Sequence, residues 1–135
     1  MFTFETKVRV RYAETDQMGY VYYGNYATYY EIGRVEMMRS LGTSYKALET
    51  GGVMLPVLEM QTRFIKPARY DEALVIRVHL REMPTVKIAF DYELFNEAGE
   101  LINTGNTTLA FIDMKRNKPC RAPADFTERL QPYFG

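Results

Sequence analysis

The chain has 135 residues, in which 17 Lys plus Arg balance 17 Asp plus Glu, so no global field draws it to nucleic acid or an anionic membrane. Its only cysteine, Cys120, excludes an intramolecular disulfide and points to a reducing compartment. No apolar run reaches the roughly 20 residues needed to cross a bilayer, and the opening MFTFETKVRV lacks the apolar block of a secretion signal, which predicts one cytoplasmic domain over residues 1–135.

Phe4, Thr6, Val8, Val10 and Tyr12 alternate with Glu5, Lys7, Arg9 and Arg11, the period of two of a strand with one buried face. A loop from Ala13 to Tyr23 follows. Asn25 then reads as a helix N-cap. Tyr26, Tyr29, Tyr30, Gly33, Met37 and Leu41 recur at spacings of three and four, one apolar helix stripe. Gly33 costs about 1 kcal/mol against alanine there, which makes sense if the helix lies very close to a sheet. Glu31 and Arg34, three apart, read as a structural helix pair, with a pair buried at a subunit contact as the alternative, and Gly42 suits the position just past the helix end.

Beyond a short segment, SYKALETGG, the chain turns β-rich. Val53 to Lys66 reads as a strand interrupted near Pro56. Leu74, Ile76, Val78 and Leu80 form an alternating series, and Val86, Ile88, Phe90, Tyr92 and Leu94 form another. Asn96-Glu97-Ala98-Gly99 has hairpin-turn chemistry before a long strand from Glu100 to Met114. Pro119 and Pro123 break the tail before a short helix near Asp125 to Leu130. One strand, one long helix and four more strands predict an α+β domain with a curved antiparallel sheet around a single helix. A sheet free at one face and one edge also predicts self-association into dimers or tetramers.

The residues between strand and helix carry a motif: Tyr12-x-Glu14-Thr15-Asp16-x-x-Gly19-x-Val21-Tyr22-Tyr23-x-Asn25-Tyr26, then Tyr30-Glu31-x-x-Arg34-x-Glu36 and Leu41-Gly42. Phe64-x-Lys66-Pro67-Ala68-x-Tyr70-Asp71-Glu72-x-Leu74 forms a second landmark. Together they resemble the 4-hydroxybenzoyl-CoA thioesterase-like branch of the hot-dog superfamily, which includes the short acyl-CoA thioesterases associated with Tol–Pal clusters. The resemblance implies the hot-dog fold, hydrolysis of an acyl- or aryl-CoA thioester, and no metal or bound redox cofactor. It also implies that Asp16 is the catalytic residue. Where many relatives place histidine, this chain has Tyr23, as the aryl-CoA members do.

The chemistry fits the residue types. Thioester hydrolysis needs a nucleophile or base, and Asp16 supplies either. The helix start offers unsatisfied N–H groups and a positive dipole end to polarise the carbonyl, with Tyr23 N–H or Gly24 N–H as the donor. Gly19 allows the loop to turn tightly. Tyr12, Tyr22 and Asn25 join it as substrate-contacting residues, and Lys66, Arg69 and Lys87 are the cations expected to meet coenzyme A phosphates. His79, between Arg77 and Arg81, reads as a solvated strand histidine, which counts against dehydratase chemistry. Two further readings remain: a thioesterase for acyl-acyl-carrier-protein, and a non-catalytic acyl-CoA binding subunit.

Overall fold

A computed structural model describes all residues from Met1 to Gly135. The first strand, β1 (Phe2–Arg9), is followed by the motif loop, a 3₁₀ turn at Tyr23–Asn25 and the long helix α1 (Tyr26–Ser40). The segment expected to be a plain connection holds a short helix, α2 (Tyr45–Thr50), started by the Ser44 hydroxyl accepting from Ala47 N–H at 3.0 Å. Then come β2 (Val53–Met54), β3 (Val57–Phe64), β4 (Ala73–Leu80), β5 (Lys87–Phe95) and β6 (Leu101–Ala110). The expected final strand breaks at Phe111, whose N–H turns aside to Val86 O at 3.0 Å. Beyond it lie β7 (Ile112–Asp113), β8 (Lys118–Pro119) and α3 (Ala124–Leu130).

Five strands form one antiparallel sheet in the order β1-β4-β5-β6-β3, while β2, β7 and β8 make a small second sheet. This is the hot-dog arrangement read from the sequence. Leu74, Ile76, Val78 and Leu80 on β4 and Ile88, Phe90, Tyr92 and Leu94 on β5 are all buried as the alternation predicts, whereas Val86 precedes β5 and is exposed, its carbonyl taken by Phe111 N–H. No helix is long and apolar enough to cross a membrane.

The helix comes down on the sheet at two points where a side chain is missing. A Cβ on Gly33 would sit 2.7 Å from Val78 Cγ2 and 2.9 Å from Ile76 Cγ2, so glycine alone permits that approach. Farther along, the sheet itself is bare: a Cβ on Gly105 would strike the Tyr30 phenol. Tyr30 therefore lies flat, stacked on Tyr92 at 4.3 Å and 8°. Its hydroxyl bonds the Asn103 side chain and, at 2.8 Å, Thr62 Oγ1. Burial pushes the Tyr30 phenol up to about 12.

Two polar expectations change. Arg34 does not pair with Glu31; it is buried, donating to Tyr45 OH at 3.1 Å and Tyr92 OH at 3.0 Å. Four residues after Tyr30, Arg34 belongs to the buried stripe by the same spacing that defined it. His79 is held rather than solvated: its Nδ1 is 2.9 Å from Thr3 Oγ1 and its Nε2 is 2.7 Å from Glu93 Oε1. Cross-strand neighbours on β1 and β5 occupy both ring nitrogens, on a sheet face rich in charges of both signs.

Candidate active site at the start of the long helix

The loop before α1 folds back on itself. Asp16 N–H donates to Tyr20 O at 2.9 Å, Thr15 pairs with Val21, and Tyr20 pairs with Arg69 across the loop. Gly19 sits at φ +78°, a left-handed conformation that a side chain would strain, as the tight turn required. Asp16 Oδ1 accepts Met18 N–H at 2.9 Å and Tyr20 N–H at 3.4 Å, closing a local turn. Those bonds fix the carboxylate at the partly exposed rim of the loop and leave Oδ2 without an intrachain partner.

The helix start differs from the expected cap. Asn25 has helical backbone angles (φ −78°, ψ −13°) and makes no side-chain cap. Instead its Nδ2 donates to Glu14 O at 2.8 Å, an acceptor that Tyr22 N–H also uses at 2.8 Å. Fastened this way, the chain enters a 3₁₀ turn in which Asn25 N–H bonds Tyr22 O and Tyr26 N–H bonds Tyr23 O. Tyr23 N–H and Gly24 N–H are left as undonated groups at the positive end of α1. These are the two donors named from the sequence, and they close the same loop that carries Asp16. The neighbouring Tyr23 phenol raises the Tyr22 hydroxyl above its ordinary range, with smaller contributions from desolvation and the Asp16 charge.

Beside them lies a cleft of about 280 Å³ lined by Tyr20, Val21, Tyr23, Tyr26, Phe64 and the Ile65–Pro67 segment. Its walls are aromatic, with Tyr26 and Phe64 edge to face at 5.2 Å. Of the expected cations, Arg69 holds its guanidinium over the Tyr20 ring at 4.9 Å, outside any ion pair, while its backbone N–H donates to Glu72 Oε1 at 2.8 Å. Lys66 also reaches the cleft but is engaged by Glu100, whose carboxyl it holds below the usual range. Lys87 lies apart, at the opposite end of the sheet: it pairs with Ala110, whereas Phe64 at the cleft pairs with Asn103. Tyr12 is tied to the loop through its carbonyl, which accepts from Thr15, but its exposed ring turns toward Tyr70 at 5.8 Å.

One residue went without a role in the sequence reading. Glu14 is buried, and its carboxylate accepts Arg11 N–H at 3.0 Å, Arg11 Nε and Nη2 at 3.1 and 2.8 Å, and Tyr29 OH at 2.9 Å. Burial disfavours the charge, yet those donors outweigh it and hold the carboxyl below its usual range. The available signal was a second acid two residues before Asp16. No three His, Cys, Asp or Glu side chains gather in a metal-ligating arrangement.

The family model of the Thioesterase-like superfamily matches residues 10–130. YneP of Bacillus subtilis strain 168 is 34% identical, covering 88% of this chain and 86% of its own. The acyl-CoA thioester hydrolase YbgC of Escherichia coli O6:H1 is 32% identical over 89% of this chain and 90% of its own. Among solved structures, a DHNA-CoA thioesterase from Staphylococcus aureus superposes with a TM-score of 0.93 at 34% identity, covering 99% of this chain and 92% of that one.

Proposed function

The chain belongs to the thioesterase-like superfamily, and from that premise we propose that it hydrolyses acyl-CoA or aryl-CoA thioesters with Asp16 as nucleophile or general base. The observation that carries this reading is one loop that holds a carboxylate with a free oxygen, ends in two undonated helix-start N–H groups, and contributes Tyr20, Val21 and Tyr23 to the wall of an apolar cleft. The acyl group enters the cleft and its carbonyl oxygen takes the Tyr23 and Gly24 N–H groups. As the carbon is attacked, negative charge grows on that oxygen, where fixed donors act most strongly. Asp16 either attacks the carbon itself, giving a mixed anhydride that water cleaves, or removes a proton from the attacking water. The carbon–sulfur bond breaks, coenzyme A leaves as the thiol or thiolate, and the free acid remains. Arg69 is the cation best placed to meet the phosphate-bearing end of the substrate.

A second copy of the chain completes this reading. Val57, Leu58, Met60 and Phe64 on β3, and Ile65 just past its end, are exposed on a free sheet edge running up to the cleft. Such an apolar edge is a surface for self-pairing, and a second copy there closes the cleft from its open side. The partnership is a homodimer at least, and a tetramer if two such dimers stack.

The test is a panel of acyl- and aryl-CoA esters, with the same acyl groups on carrier protein, read by trapping released thiol. Release from CoA esters supports the proposal, and release only from carrier-linked esters moves the substrate to the carrier. Tight binding with no release makes the chain a binding subunit. Rapid-quench single turnover in ¹⁸O water, read by mass on the protein, separates the two roles of Asp16: an acyl–Asp16 adduct, or label in the Asp16 carboxylate from anhydride cleavage at that carbon, forms only by direct attack.

A further inference from the structure

We propose that Glu14 is the positioning residue of this site, setting Asp16 against the free N–H groups of Tyr23 and Gly24; the inference rests on the thioesterase reading above. Asp16's own side-chain bonds are local, reaching only Met18 and Tyr20 within the same turn. They fix the carboxylate within its loop but not the loop against the helix. Glu14, two residues earlier, makes that connection from both of its ends.

Its carboxylate grips Arg11, where the chain leaves β1, and the hydroxyl of Tyr29, on the buried side of α1. Its carbonyl oxygen grips Tyr22 N–H and the Asn25 side chain, on either side of the 3₁₀ turn. By taking the N–H of Tyr22, that carbonyl also determines that Tyr23 and Gly24 are the donors left over. Every strong acceptor direction of the carboxylate is occupied by protein, so Glu14 does not touch substrate and acts through Asp16 and the helix start. Small errors in such a registration are costly, since displacement of a reacting group by about 1 Å can cost on the order of a hundredfold in rate.

The experiment compares wild type with Glu14→Gln, Tyr29→Phe, the double variant and Asp16→Asn, reading kcat, KM and the affinity for coenzyme A. Glutamine keeps an oxygen for Tyr29 OH and Arg11 N–H but loses the charge that holds the Arg11 guanidinium. The expected result is kcat lowered by roughly tenfold to a hundredfold in Glu14→Gln, with KM and coenzyme A affinity within about twofold. Tyr29→Phe falls less, and the double variant loses less than the two singles combined, because both cut one brace. A purely structural role lowers the melting temperature and leaves kcat unchanged; that result overturns the proposal. Should Glu14→Gln fail to fold, Tyr29→Phe decides alone, and wild-type kcat there overturns it equally. Wild-type turnover in Asp16→Asn removes the thioesterase reading of Asp16 and this proposal with it. An inactive Asp16→Asn beside an unaffected Glu14→Gln removes only the positioning role.

Discussion

Of the eleven tyrosines, seven fall between Tyr12 and Tyr30, and the 3₁₀ turn at Tyr23–Asn25 divides them. Before it, Tyr12, Tyr22 and Tyr23 are 75%, 48% and 66% exposed; after it, Tyr26, Tyr29 and Tyr30 are 3%, 0% and 0% exposed. The same side chain is left open to the outside on one side and packed as core on the other, and Tyr23 and Tyr26, one from each set, meet in the cleft wall. What differs is the backbone beneath. The loop presents its rings from extended and turn conformations to the outside, whereas the helix turns three rings onto a sheet already cleared at Gly105. Aromatic enrichment alone therefore marks no site; the undonated N–H groups of Tyr23 and Gly24 fall where the exposed rings give way to the buried ones.

The contrast can be broken first in the core. Tyr30→Ala removes a ring stacked on Tyr92 and a hydroxyl shared by Thr62 and Asn103. A loss of about 3–5 kcal/mol is expected in urea unfolding. Gly105→Ala, which drives a methyl into the same phenol, should cost about 1–3 kcal/mol. Gly33→Ala should be destabilising as well: better helix propensity returns about 1 kcal/mol, but contacts at 2.7 and 2.9 Å with Val78 and Ile76 outweigh it.

The brace at Glu14 gives a smaller, pH-dependent effect. Its carboxyl is held below the ordinary range, so it adds stability above that range and loses it as pH falls through the folded-state value. The melting temperature of wild type should accordingly drop more steeply than that of Glu14→Gln as pH falls below about 4. Equal slopes would contradict the ionised brace. At the far end, Tyr23→Ala should change stability by less than about 0.5 kcal/mol while altering the order of preferred acyl groups in the panel.

Much of this was legible because periodicity reports burial. The period of two located β1, β4 and β5, and spacings of three and four located α1 with its buried face. The left-handed turn at Gly19 and the undonated helix-start N–H groups followed from the motif and from what a helix end leaves unsatisfied. The misreadings share one cause, which is that polar residues bond to partners distant in sequence. Asn25 resembles a cap but holds Glu14 O, and Arg34 resembles half of a helix pair with Glu31 but lies between Tyr45 and Tyr92. His79 alternates with arginines, yet Thr3 and Glu93 enclose it. Lys87 belongs to the expected cations by charge alone, and strand register carries it to the other end of the sheet. Gly105 gave no signal, because the ring it admits is 75 residues away.

The most direct measurement is thiol release from acyl-CoA by wild type and Asp16→Asn, at matched folding by circular dichroism and matched affinity for coenzyme A. The asparagine keeps the oxygen that Met18 N–H requires and removes only the charge. Wild type should release coenzyme A, with Asp16→Asn slower by about 10²–10⁴-fold. Asp16→Asn turning over at the wild-type rate would contradict the account.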